Sequence, residues 1–387
     1  MERRALLRAT VLGAGTVALP FTGWSAAYGS AQPAPGPYGP LRASDANGLR
    51  LPKGFSSKIV AQTGRRVSGT TYKWHQAPDG GATFAEGDGW CYVSNSEVPA
   101  ADGGGASLIS FGPDGKPVAA RRILGGTDMN CAGGRTPWGT WLSCEEVDRG
   151  RVYETYPTGR AAKVRPALGR FRHEAAAADP VRKVVYLTED EPDGCFYRFV
   201  PDTWGDLKAG RLEVLCAGPG TSGAFTWASV PDPGGSGTRT RRQVAAAKAF
   251  DGGEGCYYAN DTVYFTTKGD GRVWALDLTA GRYRLAYDDS LVQGGPPPLT
   301  GPDNLTGAES GDLYIAEDNG NMEICLITPD GGVSPFLRVT GHHRSELCGV
   351  AFNPKGDRLY FSSQRGRTGK VTGGITYCVK GPFRKRS

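Results

Sequence analysis

A short aromatic strand recurs along this chain, and that recurrence limits the fold more than any other feature. "CYVSNSE" (residues 91–97), "TWLSCEE" (140–146), "VYLTEDE" (185–191), "VYFTTKG" (263–269), "LYIAEDN" (313–319) and "LYFSSQR" (359–365) share one plan: an aromatic anchor among apolar or β-branched residues, then polar or charged ones. The anchors Tyr92, Trp141, Tyr186, Tyr264, Tyr314 and Tyr360 lie 49, 45, 78, 50 and 46 residues apart. Turn signals such as "GDG", "TPWG", "DPVRK", "ESGD" and "NPKGD" precede the copies. A period near 45–50 residues with about four strands per copy is the mark of a β-propeller. Six copies predict an all-β fold, a six-bladed β-propeller in one domain. The long interval reads as an insertion, with "PDPGGSGTRTRR" as an exposed loop and residues 241–250 as the best stretch of helical periodicity.

The chain opens "MERRALLRATVLGAGTVALPF", with Arg3 and Arg4 ahead of an apolar run from Ala9 to Phe21. That run falls short of the roughly 20 residues a membrane span needs. With small residues at Gly29 and Ala31, it reads as a cleavable signal over 1–31, and the paired arginines favour export in the folded state by the twin-arginine translocase. The folded domain is then 32–379 and a basic tail 380–387. The net charge of +6 resides in these ends, +2 in the signal and +4 in the tail. The neutral body excludes a broad nucleic-acid footprint, no later stretch resembles a membrane span, and a monomer is expected. The nine cysteines are odd in number, so at least one has no partner within the chain.

Upstream of five anchors, at 10–14 residues, stand Cys131, Glu174, Glu254, Asp303 and Glu346. Each opens a segment that reads as a strand running into a tight turn, after which the aromatic strand returns antiparallel. The start of the first strand then lies beside the end of the second. This pairing places Cys131 with Glu145 and Glu146, and Glu174 with Glu189 and Asp190. It places Asp303 and Asn304 with Glu317 and Asp318, Glu254 with Lys268, and Glu346 with Gln364 and Arg365. If these hairpins are innermost, the acids rim one mouth of the central channel. Carboxylates so crowded cannot all ionise unaided; calcium, with six to eight oxygen ligands, resolves the conflict. A thiolate among them suits iron better. Lys268 and Arg365, with Arg135 in the glycine-rich turn, supply positive groups for an anion such as phosphate. Cys256 and Cys348, two residues beyond an acid, are expected to serve packing, and the other six cysteines core or disulfides. The four histidines show no metal-ligand spacing.

In "NCAGGRTPWGTWLSCEE", "GRFRHEAAAADP", "YLTEDEPDGCFYRF", "GPDNL", "YIAEDN" and "GVAFNPKGDRLYFSSQRG", the sequence resembles the PhoX family of secreted alkaline phosphatases. The resemblance covers nearly all of the chain after the signal. It implies a six-bladed propeller holding iron (Fe3+) and calcium at one mouth and hydrolysing phosphomonoesters. It implies that Cys131 is an iron ligand and that Glu145, Glu146, Glu174, Asp190, Glu254, Asp303, Glu317 and Glu346 are metal ligands. The ending "LYFSSQRG" departs from the family's longer form. The expected activity is an exported metal-dependent phosphatase acting on a small-molecule phosphate ester. The rivals are a calcium-dependent lactonase or esterase, which needs no cysteine ligand, and a non-catalytic metal-binding propeller.

Overall fold

The computed structural model describes residues 30–318 and 320–385; apart from Ser30 and Ala31, the segment read as a signal lies outside them. Each aromatic anchor falls on the second strand of an antiparallel meander. The first strands are Pro78–Glu86, Asn130–Arg135, His173–Asp179, Gly253–Ala259, Pro302–Gly307 and Leu347–Phe352. Each returns through a turn into its anchor strand, and third and fourth strands pair outside it. Two meanders fuse into a ten-stranded sheet through Gly223–Ser229, which pairs with Asp206–Ala217 on one side and Arg282–Asp288 on the other. That extra strand comes from the long interval. The fourth strand beside Ile375–Lys380 is Ser56–Gln62, so the beginning and end of the chain share one sheet. The first strands touch one another in chain order, and Leu347–Phe352 lies against Pro78–Glu86. The architecture is all-β and propeller-like.

The anchors are buried because they fill the spaces between neighbouring sheets. Tyr92, Tyr186 and Tyr314 have no exposed surface. Tyr92 stacks on Tyr360 with ring centroids 5.2 Å apart. Their polar tips stay satisfied, as buried aromatic hydroxyl and indole groups require: Tyr92 Oη donates to the Gly349 carbonyl at 2.8 Å, and Trp90 Nε1 donates to Tyr360 Oη at 3.0 Å.

One irregularity repeats. In every first strand the register slips near its start, between Pro78 and Gly81, Asn130 and Gly133, His173 and Ala176, Gly253 and Cys256, Pro302 and Leu305, and Cys348 and Ala351. Such bulges bend a strand and re-aim its side chains. Small residues sit there because the first strands nearly touch. A Cβ on Gly80 would lie 2.5 Å from Ala132 Cα, and one on Gly255 2.8 Å from Asn304 Cα.

The structure differs from expectation outside the meanders. Among the described residues there is no α-helix. The stretch 241–250 instead follows a 3-10 turn, Thr240–Arg242, into the short strand Ala249–Phe250. Arg241 is held by Glu189 at 2.9 Å and Asp193 at 3.0 Å, contacts that override local helical preference. The glycine-rich loop before it is pinned, with Arg149 Nη2 on the Gly234 carbonyl at 2.9 Å and Thr240 buried. The basic tail is docked as far as it is described: Phe383 packs on Phe55 with centroids 5.0 Å apart, and Arg384 grips Asp312 at 2.6 and 3.0 Å. All nine cysteines are free thiols, eight of them buried. No helix of the described chain is long and apolar enough to cross a membrane.

The close approach at the axis can be tested at Gly349, whose φ is +68° and whose added Cβ would meet Tyr92 Oη at 2.6 Å and the Asp79 carbonyl at 2.7 Å. Left-handed backbone costs a side chain roughly 1–2 kcal/mol, and overpacking adds roughly 1–3. Gly349→Ala should therefore lower unfolding free energy by about 3 kcal/mol in denaturant titration. A loss below about 1 kcal/mol would show that the strands can separate there.

Candidate metal centre

The bulges place a second repeat on the first. Counting from the last paired residue of each hairpin, the next residue on the first strand is Asp79, Cys131, Glu174, Glu254, Asp303 or Cys348. The residue following the last paired position of the second strand is Glu97, Glu146, Asp190, Lys268, Asp318 or Gln364. These twelve positions lie at the same end of their hairpins, opposite the turns. Within them, ligand atoms of Asp79, Glu97 and Cys131 lie within 4.8 Å of one another, as do those of Cys131, Glu146 and Glu174, and those of Glu174, Glu254 and Asp303. Cys131 and Glu174 each belong to two groups, so the three join into one belt. Cys131 Sγ donates to Glu174 Oε1 at 3.4 Å.

Not every expected residue joins it. Successive side chains on a strand face opposite ways, and this separates each doubled acid. Glu145 turns to its own loop and accepts from the Asp128 and Arg151 amides at 3.0 and 3.1 Å. Glu189 accepts from the Cys195 amide at 3.0 Å, Tyr197 Oη at 2.8 Å and Arg241 at 2.9 Å. Glu317 accepts from the Thr300 and Glu323 amides, both at 2.9 Å. Glu146, Asp190 and Asp318, one residue on, turn toward the belt: Glu146 groups with Cys131 and Glu174, Asp190 lies beside Glu146, and Asp318 lies 3.2 Å from Lys268. Asn304 braces the belt: its Nδ2 donates to Asp303 at 2.7 Å, and its Oδ1 accepts from the Gly349 amide at 2.8 Å. Glu346 sits at the rim, bridged to Asp318 through the backbone.

The expected cations part company too. Lys268 Nζ lies 2.6 Å from Glu254 and 3.2 Å from Asp318. Arg365 lies 3.5 Å from Glu346 and 4.0 Å from Glu97. Arg135 pairs with Trp141 at the turn end of its hairpin, its guanidinium over the Phe84 ring, away from the belt.

Sequence reasoning missed Asp79, Glu97 and Arg172; it expected Gln364 beside Glu346, and Cys348 in packing. Gln364 donates to both Asp79 and Glu97. Asp79 stands 13 residues before Tyr92, inside the spacing used for the other acids, so the signal was present. Cys348 holds the register position given to Glu346, though its Sγ donates to the Pro78 carbonyl at 3.2 Å. Cys256 is packed among apolar neighbours. A cavity of about 990 Å³ lies elsewhere, lined by Tyr257, Arg282 and Glu309 near the turn ends of two neighbouring meanders.

Burial raises the carboxyls of Asp79, Glu146, Glu174 and Glu346 well above their ordinary range, and neighbouring acids raise them further. Burial does the same to Glu254 and Asp303, with Lys268 opposing it. The Cys131 thiol is pushed up by burial, then by Asp79 and Glu174. Burial would lower Lys268, but Glu254, Asp303 and Asp318 reverse that and raise it. Glu174 Oε2 is buried and has no hydrogen-bond partner among the described residues. A crowded carboxylate belt with an unsatisfied oxygen fits hard divalent cations, and its thiol fits a softer one such as iron.

The sign of the pH effect follows. A carboxyl raised by folding ionises in the unfolded chain first, so stability is lost as pH rises above the unfolded value near 4. His75 and His173, pushed down to about 3 by burial, act in the opposite sense below pH 6.5 and contribute little above pH 7. Chelator-treated protein should therefore lose stability as pH rises from 5 to 7, the six raised carboxyls outweighing the two histidines, and calcium should restore most of the difference. A melting temperature at pH 7 that ignores calcium would contradict the assignment of the belt.

The family model for alkaline phosphatase PhoX matches residues 116–160 and 154–284, a span that contains Cys131, Glu146, Glu174 and Glu254. Among solved structures, Pseudomonas fluorescens PhoX in complex with vanadate, a transition state analogue, is similar with a TM-score of 0.72 and 18% identity, over 91% of this chain and 98% of that one. A gluconolactonase from Xanthomonas campestris is similar with a TM-score of 0.51 and 14% identity, over 90% of this chain and 99% of that one. At these identities the structural likeness is one of fold. No curated protein matches the sequence. Motifs, family match and fold point to one family, and the resemblance to PhoX is established.

Proposed function

We propose that this protein is an exported, metal-dependent phosphatase hydrolysing phosphomonoesters, a six-bladed propeller with iron and calcium at one mouth of its channel. The observation that carries this reading is the continuous belt from Asp79 through Cys131 and Glu174 to Asp303. Glu97, Cys131, Glu146, Glu174, Glu254 and Asp303 would hold the ions, Cys131 giving the softer ligand. Bound there, such ions polarise a phosphoryl oxygen and neutralise the charge that develops on it. Lys268 and Arg365 hold the outer carboxylates Asp318, Glu346 and Glu97 in place, and Asn304 fixes Asp303. The vanadate of Pseudomonas fluorescens PhoX, on a similar fold, supports phosphoryl chemistry. A lactonase reading draws support from the likeness to the gluconolactonase, and Cys131 separates the two, since calcium chemistry alone needs no thiol.

Elemental analysis of protein purified without chelators should find iron and calcium together, and the preparation should hydrolyse aryl phosphates at alkaline pH. Calcium without iron, with lactone hydrolysis unaffected by Cys131→Ser, would favour the rival. Neighbouring glutamates provide a sharper check. Glu146→Gln should cut metal affinity or activity on the order of a hundredfold while the chelated protein keeps its melting temperature. Glu145→Gln should leave metal content intact and cost roughly 1–3 kcal/mol of stability, because only one of the two amides keeps an oxygen acceptor and the other faces the new NH2 donor. The reverse pattern would exchange their roles.

A further inference from the structure

Three cations stand at the rim of the belt, and two are already committed. Lys268 lies between Glu254 and Asp318, and Arg365 between Glu346 and Glu97. The third, Arg172, is different. It precedes the first strand His173–Asp179 and lies two residues from Glu174. Its backbone carbonyl accepts from the Asp190 amide at 3.1 Å, which fixes the residue beside the mouth. Its one ion pair among the described residues is to Glu146, with Nη2 2.8 Å from Oε1, and 41% of its side chain remains exposed. Its Nε is buried without a hydrogen-bond partner among the described residues. A guanidinium carries five donors in a planar fork, so a single pairing leaves most of this one unused. An unsatisfied buried donor costs free energy unless a ligand or water meets it.

We propose that Arg172 is the anion-gripping residue of this mouth, binding the non-bridging oxygens of a phosphate monoester beside Glu146 and Glu174. The assignment rests on the phosphatase reading of the belt. The planar fork matches two phosphate oxygens at once, which a lysine cannot do. Glu146 orients the fork and keeps it charged, with Asp190 and Glu191 adding to the same field. This role falls to Arg172 rather than to Arg135, which lies at the far end of its hairpin. Lys268 and Arg365, each between two acids, are left to hold the carboxylates.

Titration calorimetry of inorganic phosphate into the metal-loaded protein tests this, with metal content and melting temperature measured on every variant. Arg172→Gln should weaken phosphate binding about tenfold to a hundredfold and raise KM for an aryl phosphate, with metal content unchanged. Arg172→Lys should fall between the two, and it carries the test if the glutamine variant does not fold. Phosphate binding equal to wild type in either variant overturns the proposal. So does loss of metal in step with phosphate, because Arg172 would then only support Glu146, and so does a wild-type protein that takes no phosphate. If phosphate binds through Arg172 but no ester is hydrolysed, the catalytic reading falls and the anion site stands.

Discussion

The nearness of the first strands to one another at the axis is the constraint on which the rest of the molecule depends. Gly80 against Ala132 and Gly255 against Asn304 leave no room for a larger side chain. Strands packed so tightly cannot keep a regular ladder, and each slips register within its first residues. The slip lies beside the residues that meet in the belt. Close approach, bulge and convergent acid are one device repeated around the ring, and the small residues matter to the chemistry as much as the acids do.

Convergence creates an electrostatic debt, because burial and mutual repulsion both oppose ionisation of the belt. The chain settles part of it with Lys268 on Glu254 and Arg365 on Glu346. Glu174 faces Cys131 on one side and Glu254 and Asp303 on the other. The last paired acids serve another purpose. Glu145, Glu189 and Glu317 cap loop amides, holding the hairpin ends rigid beside Glu146, Asp190 and Asp318.

How much of this could be read from sequence depended on what each residue does physically. The anchors were legible because a buried aromatic recurs in every meander, and the acids because they keep a nearly fixed offset from it. The bulges were not legible, since a register slip leaves no compositional trace. Without it, both members of "EE" and "ED" seemed equally placed, although strand alternation sends Glu145 and Glu146 to opposite sides. The same blindness favoured Glu346 over Cys348. Asp79 stands within the same range of offsets before Tyr92 as the other acids before their anchors, and Gly80 beside it lets two strands touch. Arg172 was passed over because it stands just before the first strand, outside the hairpin pairing used to find the others.

The same ring links the mouth to the folding of the whole chain. Pro78–Glu86 meets Leu347–Phe352, and Ser56–Gln62 pairs with Ile375–Lys380, so both seams join segments separated by most of the sequence. Gln364, made near the end of the chain, donates to Asp79 and Glu97, made near its beginning. The belt is therefore incomplete until the last sheet closes, and no part of the unfolded chain presents its acids together. A cation that binds the finished belt binds the native state almost exclusively, so its binding free energy adds to global stability. In this architecture, holding the charge at the mouth and holding the ring shut are the same equilibrium.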